Sequence, residues 1–142
     1  RLPLLRRMVE EPTRLYPPAP RSDRQAPAGD RLGEAEVRPG DIVSIWPWLL
    51  HRHRKLWDDP DAFDPDRFGE SGRERHRFQY LPFGGGPRVC VGARFAMAEA
   101  LTILAHWLAE RHFEPLPGRE VRLSGMVTLR PKGGLPLRIG RR

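Results

Sequence analysis

Phe83-Gly-Gly-Gly-Pro-Arg-Val-Cys-Val-Gly92 runs directly into a helical pattern, Ala93 to Glu110, and holds the only cysteine of the 142 residues. A lone cysteine forms no internal disulfide, and a free cysteine is usually a small buried apolar side chain. Its neighbours argue for another role. Three glycines let the backbone approach a ligand closely and adopt angles that a Cβ forbids. Arg88 places a fixed positive charge two residues before the sulfur. The helix starting near Gly92 aims free N–H groups and its positive dipole end at the same place. All three features favour a thiolate over a thiol, so the stretch reads as an anionic sulfur offered to a ligand.

The sequence leaves several ligands open. There is no second cysteine and no Cys-x-x-Cys spacing for a tetrahedral zinc site. A nucleophilic cysteine needs a base, which one of the five histidines could supply. A single thiolate also serves as the axial ligand of haem iron. Phe83-x-x-Gly86-x-Arg88-x-Cys90-x-Gly92, continued by Ala96 and Glu99, resembles the haem-binding signature of the cytochrome P-450 family, in full and at the family's spacing.

Two further elements carry the same resemblance. Glu11-x-x-Arg14, followed by Leu-Tyr-Pro-Pro, is similar to the Glu-x-x-Arg motif of the family's helix K. Pro12 departs from it, because a proline inside a helix removes a hydrogen bond; the helix is expected to kink or to restart there. Pro65-Asp-Arg-Phe68 resembles the family's Pro-Glu-Arg-Phe element, with Asp66 in place of the usual glutamate. The resemblance implies a buried structural network of Glu11, Arg14 and Arg67. Two arginines can share one carboxylate through paired hydrogen bonds that lysine could not make.

Composition agrees with a folded but turn-rich chain, with 16 prolines and 14 glycines. No apolar run approaches the roughly 18 residues that suggest a membrane span, and the start lacks a signal-peptide pattern. The net charge of +7 permits nucleic-acid binding, but a solvated basic surface is the preferred reading, since net charge speaks to partners and not to fold. Because the sequence opens at Arg1 inside an apparent helix, it is expected to be a portion of a longer chain.

In order, residues 1–16 carry apolar groups at helical spacing. The prolines at 17, 18 and 20 end that helix. Short strands near 21–25, 34–38 and 41–46 are expected to form one small antiparallel sheet within 21–46. Residues 47–80 read as a short helix and a meander. The basic run His51-Arg-His-Arg-Lys55 is expected to lie on the surface, and its arginines oppose a metal site at the two histidines. Five aspartates between Asp58 and Asp66 alternate with prolines and read as turns rather than a calcium loop. Residues 69–77 are the expected mobile loop, and 81–92 the cysteine loop. Along 93–110 a narrow polar stripe of Glu99, Thr102, His106 and Glu110 leaves most of the circumference apolar, so that helix is expected to be buried on most sides, within a body larger than 142 residues can easily surround. Residues 121–130 and 135–139 read as a terminal hairpin turning at Lys132-Gly-Gly134.

The expected fold is mainly α with small β-sheets (α+β), a single incomplete domain corresponding to the C-terminal part of the cytochrome P-450 fold. The resemblance implies a haem-thiolate monooxygenase that inserts one oxygen atom of O2 into a small organic substrate. Cys90 would be the axial thiolate of haem b (iron protoporphyrin), with Phe83, Gly84, Gly86 and Gly92 shaping the pocket. Arg88 would pair with a haem propionate, and Arg24, by its place after Pro-Pro-x-Pro, with another. A ferredoxin or flavin reductase would supply electrons, in the cytoplasm, with no nucleic acid and no membrane segment in this stretch. No catalytic residue beyond the iron ligand is expected here, and the 142 residues alone are expected to be inactive. Other readings are a haem-thiolate peroxygenase, isomerase or dehydratase on the same scaffold, or a basic nucleic-acid-binding module that would leave the cysteine loop unexplained.

Overall fold

The computed structural model describes residues 2–70, 74–125 and 127–142. Of the loop expected over 69–77, residues 71–73 lie outside the described residues. Helix α1 spans Pro3–Leu15. Proline suits its first position, where the missing N–H would have no partner anyway. Pro12 neither stops it nor restarts it: the helix runs through to Leu15, and the Thr13 hydroxyl donates back to the carbonyls of Val9 and Glu10. The Tyr16 amide closes the end on the Pro12 carbonyl at 2.6 Å, and the following prolines prevent continuation.

Strands β1 (Ser22–Gln25), β2 (Asp30–Leu32), β3 (Ala35–Val37) and β4 (Ile42–Ile45) come next. The single sheet expected over 21–46 is instead two ribbons. β1 pairs antiparallel with β4, Ser22 opposite Ile45 and Gln25 opposite Ile42. β3 pairs with β2, Leu32 opposite Ala35, across a tight turn in which Gly33 takes φ +61°. The physical reason is local. A glycine free to adopt a left-handed conformation makes the two-residue hairpin at Gly33-Glu34, and that hairpin takes β3 as its own partner.

Helix α2 (Pro47–Leu50) leads into a meander of turns and a 3-10 turn, Pro65–Phe68, where the Asp64 carboxylate accepts from the Asp66 amide. A second 3-10 turn, Gly86–Arg88, precedes α3 (Ala93–Glu110). Strand β5 (Arg111–Pro115) follows at once, then β6 (Leu123–Gly125), β7 (Leu129–Pro131) and β8 (Leu137–Arg141). The expected terminal hairpin is therefore corrected. β6 pairs with β7, while β8 returns to β5, Phe113 opposite Ile139. Lys132-Gly-Gly134 still turns the chain, with Gly133 and Gly134 both at positive φ, but it joins two different ribbons.

The core sits between α1 and the meander. Val9, Leu15, Val37 and Trp57 are buried apolar side chains, Pro17, Pro47 and Pro60 are buried too, and Glu11, Arg14 and His51 are buried with them. The Arg14 guanidinium lies over the Trp57 ring at 5.1 Å, and Phe68 meets Tyr80 edge-on at 4.8 Å. Helix α3 is not surrounded by these residues. It meets α1 and β5, yet none of its residues is buried, and Phe95 is 72% exposed. Its apolar circumference is wider than the surface that these 142 residues can lay against it.

Candidate functional site

The cysteine loop is closed by its own backbone. The Gly84 amide donates to the Leu81 carbonyl at 3.3 Å, and the Cys90 amide donates to the Phe83 carbonyl at 2.9 Å. Between these bonds Gly84 and Gly86 hold φ of +73° and +68°, a region that L side chains rarely enter. At Gly85 the constraint is spatial: an added Cβ would sit 3.2 Å from Leu81 Cδ2 and 3.3 Å from Phe78 Cε1. At Gly92 an added Cβ would lie 3.8 Å from the Cys90 sulfur, so any larger residue there would line the space beside Sγ.

Cys90 is free and exposed. The first turn of α3 begins from it: the Ala93 amide donates to the Cys90 carbonyl at 3.3 Å and Ala96 to that of Gly92 at 2.9 Å. The sulfur therefore stands at the N-terminal end of an 18-residue helix. Arg88 is exposed in the 3-10 turn and has no ion-pair partner among the described residues. Phe83 is half-buried beside the loop. Arg24 lies elsewhere, on β1 opposite Val43, exposed and donating to the Asp23 carbonyl at 2.7 Å.

Beneath the loop, the structure brings Glu11, Arg14 and Arg67 together. Arg14 Nε donates to Glu11 Oε2 at 2.7 Å and Nη2 to Oε1 at 2.8 Å. Its remaining N–H groups reach the carbonyls of His51, Pro60 and Ala62 at 2.8, 2.7 and 3.0 Å. Glu11 Oε1 also accepts from the Asp64 amide at 2.9 Å. Arg67 faces this carboxylate with Nε 3.5 Å from Oε1, while its terminal nitrogens donate to the carbonyls of Asp58 and Asp59. One carboxylate and two guanidinium groups thus fasten the aspartate-rich turns to α1, largely through the backbone of those turns. Asp66, the departure from the family's glutamate, pairs instead with Arg7 at 2.6 Å.

Sequence reading missed two members. His51, expected on the surface in a basic run, is completely buried. Burial pushes its imidazole down to about 4, with the charges of Arg14 and Arg52 acting in the same direction. Tyr80 donates to the Glu10 carbonyl at 2.9 Å, and burial raises its phenol. A usable signal for His51 was its place directly after the apolar Trp48-Leu-Leu50. Its charged neighbours hid that signal, though Arg52 itself stacks on Trp48 at 3.7 Å. His106 remains at the surface, 3.9 Å from Glu110. Among the described residues no cluster of three metal-binding side chains occurs and no helix is long and apolar enough to cross a membrane.

The residues present suit a group that takes a sulfur ligand at the mouth of the loop. A free sulfur is exposed at a helix N-terminus, glycines keep side chains away from it, and the Arg88 guanidinium, without an ion-pair partner among the described residues, lies two residues off. The chain matches the cytochrome P-450 family model over residues 1–136. It is 39% identical over 142 residues to cytochrome P-450 714C3 of Oryza sativa subsp. japonica, which covers 98% of this chain and 28% of that protein. It is 41% identical over 130 residues to cyclooctatin synthase of Streptomyces melanosporofaciens, covering 91% of this chain and again 28% of the relative. Among solved structures, the retinoic acid-bound cyanobacterial CYP120A1 superposes with a TM-score of 0.92 at 29% identity, over 99% of this chain and 33% of that one. The chain thus spans no more than about a third of the length of these relatives, and its fold is that part of theirs. The chain belongs to the cytochrome P-450 family.

Proposed function

We propose that this chain supplies the proximal, thiolate side of a haem-thiolate monooxygenase. The observation that carries the reading is the exposed, unpaired Cys90 at the junction of a glycine loop and the N-terminus of α3. Cys90 would hold the iron of haem b as a thiolate. The Phe83–Cys90 backbone bond fixes the loop that presents the sulfur, and a fixed first ligand needs such outer support. Arg88, exposed and without an ion-pair partner among the described residues, would pair with a haem propionate through a planar fork. Arg24 would serve a second carboxylate. Its guanidinium is turned to the backbone carbonyl of Asp23 and would have to change partner. When bound, the haem supplies oxygen activation, which electron donation from a thiolate favours.

The full protein would insert one oxygen atom of O2 into a small organic substrate, with electrons from a ferredoxin or flavin reductase. A chain of net charge +7 suits an acidic donor. The test is carbon monoxide difference spectroscopy of the reduced, haem-loaded protein. A band of the thiolate-ligated type, lost in Cys90→Ala, is the expected result; its survival in that variant would overturn the assignment. Product formation that requires O2 and reductase, and is not matched by peroxide alone, separates monooxygenation from peroxygenase or isomerase chemistry.

A further inference from the structure

His51 is fully buried, and nothing in the reading of Cys90 as the iron ligand uses it. Its ring lies where two distant parts of the chain meet. Nδ1 is 3.2 Å from the Arg14 carbonyl at the end of α1, and Nε2 accepts the Leu81 backbone N–H at 2.8 Å. A carbonyl only accepts and an amide N–H only donates, so both contacts are satisfied by one form: neutral imidazole with its proton on Nδ1. Leu81 is the residue whose carbonyl receives the Gly84 amide and starts the turn of the cysteine loop.

We propose that His51 is a positioning residue for Cys90: its Nδ1–H tautomer joins the end of α1 to the first residue of the cysteine loop and sets where that loop stands. This rests on the reading of Cys90 as the axial ligand. The strut is braced on every side. The carbonyl of His51 accepts from Arg14 Nη1 at 2.8 Å, so ring and backbone both fasten to the same arginine. The ring packs 5.3 Å from Tyr80 and 6.5 Å from Trp57. The charges facing it are the guanidinium groups of Arg14 and Arg52, while the Glu11 carboxylate is engaged by Arg14. The Tyr80 phenol, across the ring, is held in its neutral form by burial.

Protonation would put an Nε2–H opposite the Leu81 N–H, replacing an acceptor with a second donor. The buried ring resists this, so the loop is held by a neutral acceptor. Beyond Leu81 the connection to the sulfur is short: Phe83 lies two residues on, and its carbonyl holds the Cys90 amide. Movement of Leu81 would therefore shift the frame on which Cys90 is hung.

Two measurements on the haem-loaded protein test this. Nitrogen-15 spectra of histidine-labelled protein, with His51 assigned by its loss in a variant, are expected to show a protonated Nδ1 and an unprotonated Nε2. Carbon monoxide spectra of His51→Gln, His51→Asn and His51→Leu form the second. Gln places an acceptor near the Nε2 position and is expected to retain the thiolate-type band at neutral pH. Asn reaches only the Arg14 carbonyl, and Leu neither partner; both are expected to lose much of the band to a thiolate-free form. A band that depends on Cys90 but is the same in all three variants, or a proton found on Nε2, overturns the positioning role alone. A band missing from the parent, or surviving Cys90→Ala, overturns the ligand reading and this inference with it.

Discussion

Arg14 grips both carboxylate oxygens of Glu11, at 2.7 and 2.8 Å, with neither side chain exposed to solvent. The same guanidinium holds three meander carbonyls, so all five of its N–H groups have acceptors. This density of bonds is what makes a buried ion pair tolerable, because each charge loses its water on folding.

Removing one partner leaves the other charged and dry. Glu11→Ala or Arg14→Ala is expected to destabilise the protein by roughly 3–5 kcal/mol. Arg14→Lys is expected to recover little, since an ammonium has three donors and no planar fork. Denaturant midpoints would decide this, and a wild-type midpoint in Arg14→Lys would count against the network as described.

His51 gives stability a pH dependence of definite sign. Its value in the fold is about 4, against 6.5 for the ordinary side chain. Between those values the unfolded chain binds the proton more readily, so stability rises with pH across the window. The contribution is complete above the unfolded value and is lost as pH falls towards the folded one. At about 1.4 kcal/mol per unit, the ceiling is roughly 3 kcal/mol. Unfolding free energies measured through this window should fall less steeply in His51→Gln, and an identical slope would remove His51 as the cause.

Gly86 separates conformation from space. Among the described residues no atom lies within 4 Å of the position that a Cβ would take, yet its φ is +68°. Gly86→Ala is expected to cost about 1–2 kcal/mol from the left-handed backbone alone, and Gly86→Asn less, because Asn tolerates that region. Gly85→Ala would instead press on Leu81 and Phe78. Thermal shifts for the three variants check the ranking, and equal losses in Ala and Asn at position 86 would contradict it.

Phe95, Ile103, Trp107 and Leu108 are exposed large apolar side chains spread over more than half of the circumference of α3. The 142 residues in isolation are expected to self-associate and to bind hydrophobic dyes, since exposed patches of this kind drive association. Phe95→Glu combined with Ile103→Glu should shift sedimentation towards the monomer. A chain that is already monomeric and dye-silent would show these side chains to be covered in some other way.

Elements whose causes are local were legible in the sequence. The end of α1 follows from Pro17 and Pro18, the start of α3 from the glycine loop, and the turn at Lys132-Gly-Gly134 from its glycines. Strand partners were not. The propensities of residues 34–38 identify a strand, but whether it joins β1 and β4 or folds back on Asp30–Leu32 depends on the turn at Gly33. Likewise β8 lies opposite β5 across a sequence gap that no local pattern spans. Pro12 misled in the other direction: its cost to the helix was visible, while the tertiary contacts that keep α1 continuous were not.

The sequence by itself determined the chemistry on offer: one cysteine, glycines where the backbone needs them, an arginine close by, and a Glu-x-x-Arg pair with a second arginine downstream. Residue type and short spacing suffice for that, because caps, turns and left-handed glycines act over a few residues. Only the tertiary structure decided what supports the cysteine. It buried His51 inside a run of charges, directed Arg14 to carbonyls 37 to 48 residues away, and left α3 uncovered. Such contacts join segments far apart in the chain, where burial and hydrogen-bond geometry select the partner and local propensity is silent.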